Sequence, residues 1–223
     1  MPWIQDDVMR LFPSLTWQAM PQVQALVDAM PASAVVVDLG AGGRKLSPQT
    51  LCVDFVPFPG TDVVGDVERL PLATGSVDLV VATGLLEHVA DDRALLAETY
   101  RVLKAGGRAH YELPFMQQYH DDPIDNRRLT VPGLARELTR AGLAPERSGW
   151  HIGPTVAITT LWTYYAALLF EGDNIVSRVL SNGVFLCFSV VLWPFKFLDV
   201  FLKRKKSAHR LAFGVYCTAR KPE

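Results

Sequence analysis

Short apolar runs that each stop at an acidic residue or a glycine constrain this chain most. Residues 34–38 (AVVVD), the run TLCVD ending at Asp54, and DVV ahead of Gly65 and Asp66 all have this form. VDLVVA at 77–82 repeats it, and RAHYEL at 108–113 makes a fifth strand-like run. Continuous β-branched runs of this length fit strands buried on both faces, as in a parallel sheet. Between them lie helical patterns. Val23, Leu26, Val27 and Met30 recur at helical spacing behind Pro21, and DDRALLAETYRVLK places Leu95, Leu96, Thr99, Val102 and Leu103 on one face. Gly106 and Gly107 are expected to stop that second helix. Strands alternating with helices over about 115 residues predict a doubly wound α/β sheet with right-handed crossovers, whose ligands sit at the carboxyl ends of the strands.

Composition narrows the function classes. Apolar residues make up 49% of 223 and charged ones 20%, which suits a folded core and excludes disorder for most of the length. Lys and Arg number 22 against 23 Asp and Glu, so no global charge points to nucleic acid. Cys52, Cys187 and Cys217 are odd in number and far apart. They fit neither a disulfide framework nor a zinc or redox pair, and a reduced, cytoplasmic compartment is expected. The first residues lack a charged segment followed by a long apolar stretch, so no secretory signal is expected there.

The turn after the first run, DLGAGG, carries Gly40, Gly42 and Gly43, which can form a tight strand-to-helix turn or admit a closely approaching ligand. A dinucleotide site wants a third glycine and an acid about 20 residues on. Here Arg44 stands in place of that glycine, and Asp54 follows Gly40 by 14 residues. The connection leaves room for one or two helical turns, which disfavours a pyrophosphate seat and a nicotinamide oxidoreductase. An adenosine ligand without a pyrophosphate remains, with Asp54 accepting from two ribose hydroxyls and Asp66 from the adenine amine.

Asp38 to Gly42 (DLGAG), Asp54, the stretch GDVERLPLATGSVDLVVATGLLEHV at 65–89 and RVLKAGGRAHYELP at 101–114 resemble the ordered motifs of class I S-adenosylmethionine-dependent methyltransferases. The resemblance spans roughly residues 32–114 and implies a Rossmann-like sheet with an antiparallel last strand. It also implies S-adenosyl-L-methionine as cofactor and methyl transfer as activity. Asp38 would face the methionine amino group directly or through water, and Gly40 and Gly42 would admit the methionine moiety. Asp54 would hold the ribose, Asp66 with Val67 the adenine, and Thr83 would offer backbone contacts near the methionine end. Leu86, Glu87 and His88 also match the family, with a structural role expected for the Glu-His pair.

Residues 114–130 (PFMQQYHDDPIDNRRLT) lack helical period and cluster His120, Asp121, Asp122, Asp125, Arg127 and Arg128 where active-site loops lie. The stretch reads either as a solvated loop or as part of an acceptor pocket. It is similar to one in a bacterial type-11-like branch of these methyltransferases, found among cell-envelope glycan enzymes; His120, Asp122, Pro123, Asp125 and Arg128 match. His120 is the candidate proton acceptor, with Asp122 or Asp125 orienting it and Asp122 and Arg128 contacting the acceptor. No pattern here fixes three or four metal ligands, and no metal is expected.

Thr130 reads as a helix N-cap ahead of Pro132, Leu134 and Leu138, and 211–219 alternates as a last strand beside the fifth, with a sixth near 145–148 at the edge. The expected organisation is a cofactor-binding core of 1–149 and 210–223 interrupted by a helical, apolar and basic insertion at 150–209. Within the insertion, 184–202 approaches the length that spans a bilayer, but Ser189, Pro194, Lys196 and Asp199 interrupt it. Residues 196–210 hold six Lys or Arg and one Asp beside aromatic residues. Peripheral contact with the anionic inner face of a membrane is therefore expected; a helical cap over the sheet is the alternative. The functional expectation is methyl transfer, at oxygen, to a small-molecule, glycan or lipid-linked acceptor. A non-catalytic adenosine-ligand module that associates with a membrane or protein is the alternative.

Overall fold

The computed structural model describes residues 21–120 and 124–223. They fall into two compact units: one of residues 21–114, 126–151 and 215–223, the other, as described, of 115–120, 124–125 and 152–214.

The first unit is built on a seven-stranded sheet in the order β3-β2-β1-β4-β5-β7-β6. Its strands are β1 (Val36–Leu39), β2 (Leu51–Asp54), β3 (Val63–Val64), β4 (Val77–Thr83), β5 (Leu103–Pro114), β6 (Ala144–Ile152) and β7 (Gly214–Arg220). The first five are parallel, as their continuous apolar character requires. β7 runs against β5: Gly106 and Gly107 bond to Lys221, while His110 further along reaches back to Thr218. The chain winds outward from β1 through β2 to β3, then returns to the other side of β1 as β4. That reversal puts a topological switch point between β1 and β4, where a crevice opens at the carboxyl strand ends.

Helix α1 (Pro21–Asp28) lays Val23 and Val27 against Val36, Leu79 and Val81. α2 (Asp92–Val102) starts where Asp91 accepts from the Arg93 and Ala94 amides, and buries Leu95, Leu96, Thr99 and Val102. Thr99 Oγ1 meets the buried Tyr111 hydroxyl of β5 at 2.6 Å, a polar tie that fixes α2 along the sheet. α3 (Val131–Arg140) begins as expected at Thr130, whose hydroxyl accepts from the Gly133 amide, and buries Leu134 and Leu138.

Two local expectations are corrected. α2 ends at Val102, and β5 begins at Leu103, before the glycines rather than after them. Val77 pairs with Leu103 but Leu79 with Arg108, so the extra residues bulge, and Gly106 takes the φ of +76° that this needs. The link from β1 to β2 contains turns and bends and no helix, since its eleven residues hold two tight turns.

The second unit carries α4 (Pro154–Leu168) and α5 (Ile175–Leu192), which starts earlier than the apolar run beginning at Val184 suggests. Asn174 caps α5 by accepting from the Ser177 amide at 2.9 Å. Pro194 ends the α-helical bonding, and the chain continues as a 3-10 turn (Trp193–Leu198) and the short α6 (Asp199–Leu202).

Candidate active site

At the carboxyl end of β1 the Asp38 side chain is fully buried. Arg44, six residues on, folds over it: Nη2 donates to both carboxylate oxygens at 2.8 and 2.7 Å, and Nε donates at 3.1 Å. Its Nη1 donates to Thr83 Oγ1, at the end of β4, at 2.7 Å. One guanidinium thus bridges the two strands that flank the switch point. Burial pushes the Asp38 carboxyl above its ordinary range, and Arg44 draws it back. A buried acid without that partner would be costly, so Arg44 serves the fold as well as the site.

This differs from Asp38 as a direct acceptor for an ammonium group. Both oxygens face Arg44, which directs its Nε and Nη2 donors at them and whose side chain is 28% exposed. Thr83 likewise engages Arg44 through its hydroxyl, beyond the backbone role expected of it.

Gly40 and Gly42 both adopt left-handed φ, +66° and +57°. Their surroundings differ. A Cβ at Gly42 would meet nothing within 4 Å, whereas one at Gly40 would lie 2.8 Å from Leu85 Cδ1. Gly42 therefore borders the open space expected of a ligand cradle, while Gly40 is close-packed against the β4 turn. Asp54, buried at the end of β2, ties the loop: Oδ2 accepts from the Gly42 amide at 2.8 Å and Oδ1 from Val56 at 3.0 Å. Each oxygen keeps a second lone pair for a hydroxyl donor. Asp66 is exposed just past β3, its Oδ1 accepting from the Glu68 amide at 2.8 Å, with Val67 half-buried beside it.

Next along the sheet is a buried polar cluster that the sequence reading did not single out. Glu112, on β5, has Oε1 3.1 Å from His110 Nε2 and Oε2 3.8 Å from His151 Nε2 on β6, while His110 Nδ1 lies 2.8 Å from Thr218 Oγ1. Burial works to raise the Glu112 carboxyl, but the His110 hydrogen bond and the two imidazoles bring it below its ordinary value. Burial holds the His151 imidazole below its usual 6.5, with the Glu112 charge opposing. The signal was present in RAHYEL: His110 and Glu112, two apart on a strand, must share a face.

The loop after β5 divides between the units. In the second, His120 Nδ1 stands 3.0 Å from Asp125 Oδ2, whose side chain is nearly inaccessible. Asp125 is thus the carboxylate beside the ring; Asp122, the other candidate, lies outside the described residues. In the first unit the Asn126 amide donates to Glu87 O at 2.7 Å and its side chain to His88 O at 3.1 Å. Arg127 pairs with Asp92 and donates to Val89 O and Ala90 O. These two residues fasten the chain to the start of α2, a structural use of a stretch whose charges the sequence left open between solvated loop and acceptor pocket. Arg128 is half-buried, its Nη1 bonded to Arg127 O at 3.1 Å. Glu87 is buried, 3.8 Å from His88, in keeping with a structural role.

Comparison with known proteins bears on the fold and on part of the sequence. A family profile described as a methyltransferase domain matches residues 22–110. A probable S-adenosylmethionine-dependent methyltransferase of Mycolicibacterium smegmatis is 30% identical over 107 residues, 45% of this chain and 39% of that protein. The chain spans well under half the length of the curated relatives it matches. Among solved structures, a chain of the complex between the Haloferax volcanii Trm112 methyltransferase activator and a methyltransferase superposes with a TM-score of 0.57 at 20% identity, covering 98% of this chain and 93% of that one. The Burkholderia thailandensis 1,6-didemethyltoxoflavin-N1-methyltransferase, solved with S-adenosylhomocysteine, gives 0.55 at 18%, covering 92% and 78%. At these identities the structural likenesses establish the fold.

Proposed function

From a chain whose fold and matched segment are those of the class I S-adenosylmethionine-dependent methyltransferases, we propose an enzyme that binds S-adenosyl-L-methionine at the strand ends and methylates a hydroxyl oxygen. The observation that carries this is the row of acids Asp38, Asp54 and Asp66 at successive strand ends around a glycine turn that opens beside Gly42. Asp54 takes the ribose hydroxyls, and Asp66 with Val67 borders the adenine. Arg44, held by Asp38 and Thr83, meets the carboxylate at the methionine end. The bound cofactor supplies an activated sulfonium methyl, so positioning provides most of the rate.

A hydroxyl acceptor must lose a proton. Asp125 Oδ2, 3.0 Å from Nδ1 of His120, sets a negative charge beside the ring, and the imidazole takes the proton. The acceptor is a small molecule, glycan or lipid-linked molecule. The protein works in the cytoplasm at the inner face of the membrane, where the basic segment after α6 contacts anionic lipid.

Incubation with methyl-labelled S-adenosylmethionine and fractionated cell envelope tests the activity. Label is expected in glycan or lipid; binding of S-adenosylhomocysteine without transfer to any fraction would favour the non-catalytic module. His120→Ala should lower transfer about a hundredfold while S-adenosylhomocysteine affinity holds. Full activity in that variant removes His120 from the chemistry.

A further inference from the structure

In α4 and α5 the usual sidedness of a soluble helix pair is inverted. Apart from Pro154 and Val156 in its first turn, the sides turned inward carry small or hydroxyl residues: Ala157, Thr159, Thr160, Thr163, Ala166 and Ala167 on α4, and Ser181 on α5. Ser181 Oγ donates across the pair to Ala167 O at 2.9 Å, and only Phe185, edge-on to Tyr164, adds a large buried side chain to α5. Large apolar residues point outward. Ile158, Trp162, Tyr165 and Leu169 form a stripe at helical spacing on α4, and Val176, Val179, Leu180 and Val190 do so on α5; each is at least 46% exposed. Helices in water bury such residues. Helices in lipid gain nothing by doing so, and they associate through small residues and interhelical hydrogen bonds.

The charges that argue from sequence against hydrocarbon are turned inward. Asp199, 3% exposed, accepts from the Thr155 amide at 2.9 Å and Val156 at 3.4 Å, capping the first turn of α4. Lys196 is buried, its Nζ 4.7 Å from the Trp193 ring centre and 5.6 Å from that of Phe197. What remains from Val179 to Phe195 is 17 residues without a charge. The Ile175–Leu202 segment is long and apolar enough to cross a membrane, and only 11% of its most apolar stretch is buried. Beyond it the exposed Lys203, Arg204, Lys205, Lys206 and Arg210 follow Phe197 and Phe201, aromatic and basic anchors suited to an anionic headgroup layer.

We propose that α4 and α5 form a hairpin embedded in the hydrocarbon of a lipid bilayer, with the basic segment at the headgroups. This deepens the membrane-surface placement above and rests on it, replacing electrostatic adsorption by insertion. The occupant of the apolar face is lipid because exposed charges bound the uncharged stretch at both ends, Glu171, Asp173 and Arg178 at the hairpin turn and the basic, aromatic segment after Phe195, an arrangement complementary to two headgroup layers over hydrocarbon.

Flotation of the full chain with vesicles tests it. Binding to neutral phosphatidylcholine vesicles is expected to persist in high salt and alkaline carbonate. The variant Val179→Glu with Val190→Glu should lower the floated fraction about tenfold. Flotation only with anionic vesicles, lost in high salt, would overturn insertion in favour of adsorption. No flotation together with a concentration-dependent dimer would assign the face to a second copy instead. S-adenosylhomocysteine affinity, measured on the same samples, separates the readings: its retention in non-floating protein rejects insertion alone, and its absence from wild type rejects the methyl-donor site whatever the flotation result.

Discussion

Asp54 holds the glycine loop through the Gly42 amide and its own following turn through Val56, and is proposed to take the ribose hydroxyls, so its removal has two consequences. Asp54→Ala should weaken S-adenosylhomocysteine binding by about 1.5 to 3 kcal/mol, through loss of a charge-assisted acceptor. Asp54→Asn keeps one carbonyl acceptor and should lose less; calorimetric titration of both measures the difference. Gly40→Val should cost more in stability than Gly42→Ala, because a Cβ at Gly40 collides with Leu85 as well as adopting a positive φ. The comparison is made by urea midpoints. His151 gives a pH test. Its folded pKa is depressed, so the unfolded chain binds more protons just below 6.5. Stability is then full above that pH and falls as the pH drops toward the folded value. His151→Gln should flatten the slope of unfolding free energy in that window. At this scale the sequence exposed the acids, since each closes or follows a short apolar, strand-like run. It hid Arg44 as the partner of Asp38 and Thr83, because a guanidinium reaching six residues back leaves no periodic trace.

Elements were legible where an apolar period met a punctuating residue. β1, β2 and β4 are continuous runs, and α3 starts at Thr130 because its hydroxyl can take an orphan amide. The start of β5 was missed because Leu103 continues the α2 stripe, and only pairing with Val77 decides that it is strand. The capping of α4 was equally invisible, since Asp199 lies 44 residues beyond Thr155. Asp199→Ala should lower stability by about 1 to 2 kcal/mol, as loss of an N-cap does. Asp199→Asn, which retains a carbonyl acceptor for those amides, should restore most of it. Chemical unfolding followed by circular dichroism distinguishes the two.

Across the whole molecule, the expected doubly wound sheet, with an antiparallel last strand beside the fifth and a sixth at the edge, matches the order β3-β2-β1-β4-β5-β7-β6. What sequence did not decide is the direction in which the inserted helices face. Lys196 and Asp199 read as interruptions of an apolar segment, and only their inward contacts show that the outer surface lacks them. The account stands on the strand-end site between β1 and β4. Its most direct test is calorimetric titration of the full chain with S-adenosylhomocysteine and, separately, NADH, repeated on Asp54→Ala. One S-adenosylhomocysteine site per chain is predicted, weakened roughly ten- to a hundredfold by the substitution, with no NADH binding. Binding of NADH in its place, or S-adenosylhomocysteine affinity unchanged in Asp54→Ala, would contradict it.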